Sequence, residues 1–511
     1  MQNTGQRVIL HFRCQNLADL DTFSKSDPYL VLYHKQPDGR LREVGRTETV
    51  MNNLNPEFQK TLTVEYIFET KQIFQVKVID YDEKTDKDND QLGACEFDIA
   101  HLMSARNHTK SFDLNPRGKL HIVAAETNVN ASDTVQLEFF GRRMKKMDTF
   151  GKSDCYLKIF RALPDGTKKM LHQTEVQKCT LEPNFVKLKP IRTIDIMGKD
   201  QSDISIYVEC WDQDMFSDDY MGCFQCSMLE LLTNQASKKP FILRKPENLS
   251  EQYGEIYVKE ASIRHFPSFL ELLSAGLQVN MAVSIDFTGS NGDPRQPTSL
   301  HYMNPVKPNQ YVQAITDVSR ILLEYDTDKM VAAFGFGATL PDGKVSHFFH
   351  LNMTPSPYVP GVEGILAAYG TTMSTVRFSG PTNFAPTIRG ATDGARGAAN
   401  VYTILLIITD GEITDMDDTI DAIVRADDAP LSIVIVGVGN GSDFEAMNQL
   451  DGDNAALNSR GRVSRRDLVQ FVAMRSIVSR VDGQLAAEVL REIPDQVEKW
   501  AALTGYGAVK K

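Results

Sequence analysis

The chain has 511 residues, of which 42% are hydrophobic and 24% charged, a balance that suits a folded soluble protein of several domains and excludes a disordered or membrane-spanning chain. Its net charge of -12 argues against nucleic acid as a partner, because neutralising phosphates takes a basic face. The opening "MQNTGQRVIL" lacks the pattern of a secretion signal, and the 7 cysteines fit reduced thiols, so the expected setting is cytoplasmic.

The first elements are short alternating strands interrupted by turn signals, the pattern of a β-sandwich. Residues 21–58 then recur at 148–185 without a gap, with about 16 of 38 positions identical, so one fold is used twice. "DTFSKSDPYL" returns as "DTFGKSDCYL", "PDG" at 37–39 as "PDG" at 164–166, and "LNPEF" as "LEPNF". Further on, "FQVKVIDYD" and "ISIYVECWDQD" alternate like half-buried strands and end in Asp-x-Asp where a strand enters a loop.

Each copy therefore gathers about five carboxylates from two loops. They are Asp21, Asp27, Asp80, Asp82 and Asp90 in the first copy and Asp148, Asp154, Asp212, Asp214 and Asp219 in the second. Two such charges about 4 Å apart cost on the order of 4 kcal/mol at an intermediate dielectric, so a cluster of them calls for a cation. Oxygen-only ligands on flexible loops favour calcium; the competing reading is a pair of solvated acidic loops. "DKDNDQLG" is not an EF-hand, because Gln91 and Phe97 stand where that loop needs Gly and Glu. "CFQC" has no second pair at zinc spacing and reads as strand packing.

These motifs resemble C2 domains, whose first loop carries an Asp followed by Ser-Asp-Pro-Tyr and whose third loop carries Asp-x-Asp, a further Asp and a hydrophobic residue before Gly. The resemblance implies calcium at the tip of an eight-stranded sandwich. For the last ligand, Asp88 competes with Asp90 in the first copy, and Asp218 with Asp219 in the second.

Calcium reverses the sign of such a tip and leaves coordination positions for an anionic lipid. Phe23 and Lys25, Phe150 and Lys152, and Met215 with Phe216 stand beside the acidic residues as candidate membrane contacts. A buried Phe contributes roughly 1.5–3 kcal/mol, and a Lys near an anionic surface about 1 kcal/mol, so two linked tips are needed for useful avidity. The basic run "GRRMKKMD" leads into the second loop, either as part of the contact or as a solvated strand edge.

After about residue 265 the pattern changes to long apolar runs, "VNMAVSID", "MVAAFGF", "VYTILLIITD" and "LSIVIVGVG", separated by helical stretches. That predicts a doubly wound α/β domain with a parallel sheet, whose ligands sit at the carboxyl ends of the strands. "DFTGSN" offers Asp286, Thr288 and Ser290 at alternate positions, "GPTNFAP" offers Thr382, and "ITDGEITD" offers Asp410. Hydroxyls with two carboxylates suit Mg2+ or Mn2+, with a position left for an acidic residue of a partner; the competing reading is ordinary strand-end capping. The set resembles the metal-ion-dependent adhesion site of von Willebrand A domains. "GVGNGS" lacks the third Gly of a dinucleotide fingerprint, and "HFFH" would put His347 and His350 on opposite faces of a strand.

Two C2-like units followed by an A domain resemble the copine family, on "DTFSKSDPY", "DTFGKSD", "IDFTGSNG", "GPTNFAP", "LLIITDGEITDM" and "LREIPDQVEKW". The expected bounds are 1–125 and 126–262 for the C2-like units, 263–275 for a linker, 276–505 for the A domain and 506–511 for a tail. The resemblance implies calcium-dependent association with anionic phospholipid membranes and recruitment of target proteins by the A domain, without established catalysis. Gln2 stands where myristoylated plant relatives have Gly, and "TGYGAVKK" lacks the Cys and His of a zinc-binding RING. A cytoplasmic protein that moves to membranes with calcium is therefore expected; the rival is a membrane-associated kinase or phosphotransferase, for which no catalytic motif is present.

Overall fold

The computed structural model describes residues 6–21, 24–82, 90–126, 133–148, 151–162, 167–197, 206–214, 216–304, 306–411, 413–439, 444–452, 455–477, 484–507 and 509–510. The chain folds as two compact units, residues 1–128 with 269–504 and residues 129–268 with 505–511.

The first unit begins with a β-sandwich. One sheet orders the strands Leu62–Tyr66, Gln6–Gln15, Lys119–Glu126 and Thr109–Asp113; the other orders Leu41–Arg46, Pro28–Lys35, Ile73–Asp80, Gln91–Asp98 and Asn115–Pro116. Alternation makes the two faces: along Ile73–Asp80 every second side chain is buried, so Phe74, Val76 and Val78 enter the core while their neighbours face outward.

The second unit repeats the plan. One of its sheets orders Lys168–Gln173, Cys155–Ala162, Ile206–Asp212 and Asp219–Cys226, and the other places Thr134–Arg142 between Ile191–Arg192 and Gly254–His265, with Phe241–Leu243 beyond. Register is preserved between the copies: Pro28 lies opposite Asp80 and Cys155 opposite Asp212. Both copies also slip by one residue on the facing strand, after Val78 and after Cys210, where Gly93 and Gly222 sit opposite. Gly222 has φ +128, and a Cβ there would lie 2.9 Å from the Arg244 backbone, so this position in the Asp219–Cys226 strand has to be glycine.

The remainder of the first unit is an α/β domain. Its sheet runs in the order Met330–Phe336, Gln278–Asp286, Val401–Thr409, Leu431–Gly437 and Val469–Ala473, all parallel, with Phe349–His350 and Tyr358–Pro360 antiparallel at the edge. All seven residues of Leu431–Gly437 are buried, as a strand covered by helices on both faces requires. The Gln310–Leu322 and Ala385–Gly397 helices are among those that cover it. Among the described residues no helix is long and apolar enough to cross a membrane.

Residues 263–275, expected as a linker, hold the boundary between the two units at 268/269; the Gly254–His265 strand ends within them, and the Phe269–Ser274 helix buries Phe269, Leu270, Leu272 and Leu273. In the 506–511 segment, expected as a tail, Val509 and Lys510 pair with His265 and Arg264. One expectation changes. His347 lies in a bend outside the two-residue strand that holds His350, so the two do not alternate along one strand.

Candidate metal centres

At the first sandwich tip, the strand ending at Asp80 and the loop carrying Asp21 and Asp27 come together. The Asp27 N–H donates to Asp80 Oδ1 at 2.5 Å, Asn52 N–H donates to Asp27 Oδ1 at 2.5 Å, and Asp80 N–H donates to the Asp90 carbonyl at 2.8 Å. Ser24 Oγ donates to Asp21 Oδ2 at 2.8 Å. Burial raises the Asp80 carboxyl above the usual range, and the nearby Asp21 and Asp82 charges raise it further.

The second tip is built in the same way. Asp154 N–H donates to Asp212 Oδ1, and Cys179 N–H donates to Asp154 Oδ1 at 2.5 Å, in the place that Asn52 occupies in the first copy. Burial raises Asp212, with Asp148 and Asp214 adding to it, and Asp214 is raised in turn by burial and by Asp148, Asp219 and Asp218. The Tyr156 hydroxyl donates to Asp218 Oδ2 at 2.5 Å, whereas Asp219 is exposed at the start of its strand, opposite Asp212. Asp212 Oδ2 is buried with no hydrogen-bond partner among the described residues. Such an acceptor is costly unless something satisfies it, and a cation would.

Phe23, Asp88, Phe150 and Met215 lie outside the described residues. Lys25 and Lys152 are exposed beside the tips, and Phe216 is 96% exposed, a large aromatic held in water. Among the described residues no three His, Cys, Asp or Glu side chains form a group that could hold a metal. The oxygen-only donor sets nevertheless fit calcium chemically, and the raised Asp80 and Asp212 lie where a divalent charge would relieve their repulsion.

Motif reading missed the serines that brace these loops. Ser26 and Ser153 are fully buried; Ser26 Oγ accepts the Leu20 N–H at 3.0 Å, and Ser153 Oγ accepts the Met147 N–H at 3.0 Å and donates to the Lys145 carbonyl at 3.1 Å. The repeated "KSD" carries this signal in its Ser, beside the Lys and Asp that the motif reading used.

In the α/β domain, the Gln278–Asp286 strand delivers Asp286 to the carboxyl edge of the sheet, fully buried. Thr288 Oγ1 donates to Asp286 Oδ1 at 2.6 Å, the Thr288 N–H donates to the same oxygen at 2.8 Å, and the Thr288 and Ser290 hydroxyls are 3.0 Å apart. Burial pushes the Asp286 carboxyl up to about 7, with Asp410 adding to the rise. The loop after Asp410 is tied to the Thr382 loop, since both the N–H and the hydroxyl of Thr414 donate to the Thr382 carbonyl, at 2.9 and 2.7 Å. The structure therefore groups Asp286, Thr288 and Ser290 with Asp410 acting on them electrostatically, and it fastens the Thr382 backbone to the Asp410 side. Two carboxylates with hydroxyls make a donor set that fits a small hard cation.

Supporting residues went unread here too. Thr409 Oγ1 donates to Asp286 Oδ2 at 2.7 Å. His301, fully buried, hydrogen-bonds the Asp286 carbonyl through Nε2 at 2.8 Å and the Tyr369 hydroxyl through Nδ1 at 2.6 Å, and burial pulls its pKa down to about 3. The His301 ring is stacked 4.0 Å from the Tyr311 ring, and the Tyr311 hydroxyl donates to Asn291 Oδ1 at 2.7 Å. Gly337, at φ +74, lies so close beneath Thr288 that a Cβ would stand 2.2 Å from Thr288 Cγ2.

Tandem sandwiches with acidic tips, followed by a parallel α/β domain, define a class of C2-domain proteins, and the comparisons agree. The C2 domain family model matches residues 5–114 and 139–243, and the Copine family model matches residues 299–508. "Copine-A" of Dictyostelium discoideum is 39% identical over 505 residues, covering 96% of this chain and 83% of its own. "Nicotinic receptor-associated protein 1" of Caenorhabditis elegans is 37% identical, covering 98% of this chain and 88% of its own. Among solved structures, the calcium-bound tandem C2 domains of Extended-Synaptotagmin 2 cover 50% of this chain and 96% of their own at 15% identity, with a TM-score of 0.22, too low to bear on the sites. The chain belongs to the copine family.

Proposed function

We propose that this protein binds anionic phospholipid membranes when calcium occupies its sandwich tips, and that it recruits target proteins through a magnesium or manganese site in the α/β domain. Asp21, Asp27, Asp80, Asp82 and Asp90 would hold calcium in the first sandwich, and Asp148, Asp154, Asp212 and Asp214 with Asp219 or Asp218 in the second. Bound calcium supplies positive charge to which a lipid phosphate or carboxylate can attach. Lys25, Lys152 and Phe216 then add electrostatic and apolar contacts with the bilayer.

The observation that carries this reading is the duplicated tip. In both copies a buried Asp accepts the N–H of the loop Asp and has its carboxyl raised by burial and by like charges. Solvated loops would leave such carboxylates free to separate; here the backbone holds them together.

In the α/β domain, Asp286, Thr288, Ser290, Thr382 and Asp410 would hold the cation, and an acidic side chain of the partner would complete its shell. The protein would be cytoplasmic at low calcium and on the plasma membrane or endomembranes at high calcium. Co-sedimentation with phosphatidylserine vesicles tests the membrane reading: binding is expected with calcium and lost in chelator. Asp286→Ala tests the second site, and it should abolish metal-dependent capture of a target protein while leaving vesicle binding intact.

A further inference from the structure

The first sandwich and the α/β domain belong to one compact unit, and the residues that join them lie at the end of each that is remote from its candidate metal centre. In the sandwich, the tip forms where the Pro28–Lys35 strand begins and Ile73–Asp80 ends. The opposite end carries the turn after Leu62–Tyr66 and the segment after Gln91–Asp98. In the α/β domain, Asp286 ends its strand at the carboxyl edge. The Phe269–Ser274 helix instead leads into the start of that strand, and Tyr325 follows the helix that returns to the amino edge.

These two bases meet in a buried aromatic joint. The Tyr66 and Tyr325 hydroxyls are 2.6 Å apart, and the Tyr325 hydroxyl lies 3.3 Å from the Phe68 carbonyl. The Phe68 ring packs edge-on against Phe269 at 5.0 Å and tilted against Tyr325 at 4.6 Å. All four rings are at most 3% exposed. A close contact between the His101 ring and the Glu324 carboxylate and a 3.5 Å contact from Ser104 Oγ to the Glu324 carbonyl flank them. Separation would expose the four rings together, a patch that a soluble protein rarely leaves in water.

We propose that the first sandwich is a fixed stalk of the α/β domain, joined to it base to base, so that its acidic tip and the Asp286 site point to opposite ends and are engaged at the same time. Each centre lies about one strand length from the joint, roughly 25–30 Å for eight or nine residues. Docking of that tip on a bilayer then leaves the Asp286 site facing water, and the unit bridges a lipid surface and a protein partner without first having to open. The joint stands on contacts within the unit; simultaneous engagement rests on the function proposed above.

Two measurements on the full chain separate these claims. Hydrogen exchange reads the joint: Phe68→Ala, and the milder Tyr66→Phe, should raise exchange at 269–277 and 321–327 as well as at 66–72. A change confined to 66–72 in both variants would overturn the joint. For the second claim, a fluorophore is placed at Val306→Cys in a Cys179→Ser background. Val306 is 92% exposed, in the loop that follows His301 at the carboxyl edge. On phosphatidylserine vesicles with calcium, quenching by aqueous iodide should stay within about 20% of its value in free protein, and lipid-borne quencher should have no effect. Bound protein whose label is shielded from iodide, or quenched from the lipid, would overturn simultaneous engagement. Failure to bind vesicles at all would sink the proposed function, and the engagement claim with it, while leaving the joint to the exchange result.

Discussion

Thr409 donates its hydroxyl to Asp286 Oδ2 at 2.7 Å across two neighbouring parallel strands, while Thr288 holds the other oxygen of the same carboxyl. Both oxygens are thus aimed by hydroxyls before any ligand arrives. Residues that orient a metal ligand typically contribute 10- to 100-fold in affinity. Thr409→Val should therefore weaken Mn2+ binding at this site by about 10-fold, read by paramagnetic titration of the full chain against an Asp286→Ala control. Calcium-dependent vesicle binding should be unchanged. Equal Mn2+ affinity would mean that the carboxyl is aimed by Thr288 alone.

The neighbouring strand supplies a steric test. Gly337 leaves no room for a Cβ beside Thr288 and adopts a left-handed backbone. Gly337→Ala should destabilise the α/β domain by about 1–3 kcal/mol in urea unfolding and weaken Mn2+ binding with it. Wild-type stability in this variant would show that the Thr288 loop gives way freely.

A buried carboxyl sets a pH dependence away from the metal sites. Burial pushes Glu498 up to about 7, against an incoming hydrogen bond from the Phe269 N–H at 2.8 Å and in the company of Asp495, Glu126 and Glu271. Its folded pKa lies above its unfolded one, so its protonated form contributes stability below about pH 4.5, and that contribution is lost as pH rises through about 7. Glu498→Gln keeps an acceptor for Phe269 and removes the charge. It should raise stability at pH 8 by up to about 3 kcal/mol and flatten the pH profile between 4.5 and 7. An unchanged profile in denaturant titrations would contradict this.

Asp427 behaves in the opposite sense. It is fully buried and, although burial works against it, hydrogen bonds from Arg465 together with Arg462 pull it down to about 2. Arg466 donates to its carbonyl at 2.8 Å, so the turn before Leu431–Gly437 is stitched to the segment before Val469–Ala473. Asp427→Ala should cost about 1–3 kcal/mol, measured by urea unfolding at pH 7, because it removes the shared acceptor of the Arg462 and Arg465 guanidinium groups, which are themselves about half exposed. A loss below about 1 kcal/mol would show that the arginines find water instead.

The repeated loops at the sandwich tips were legible in the sequence because their residues sit in short local motifs that the chain states twice. The parallel domain was legible from its unbroken apolar runs. What escaped notice depends on contacts far apart in sequence. The Tyr66–Tyr325 pair spans 259 positions, and His301 reaches Asp286 only because the loop folds back over the strand end. Thr409 looked like the last residue of an apolar strand, although its neighbour Asp410 was picked out. Within residues 263–275 the six-residue Phe269–Ser274 helix is too short to show a helical period, and its apolar face is explained by Phe68 packing against Phe269.

Asp27 and Asp154 each accept a loop N–H, so Asn at either position keeps the fold while removing the charge. Asp27→Asn and Asp154→Asn should each shift the calcium needed for half-maximal vesicle binding upward, by about 10-fold or more if the two tips act together. A variant with no shift would identify a tip that does not contribute.

The central claim is that held-together carboxylates at the tips become adhesive to acidic bilayers when a divalent cation neutralises them. The most direct measurement is co-sedimentation of the full chain with phosphatidylserine vesicles across a calcium titration, beside a variant carrying Asp21→Asn, Asp27→Asn, Asp148→Asn and Asp154→Asn. The account predicts saturable, chelator-reversible binding of the wild type and none by the variant over the same range; equal binding by both would contradict it.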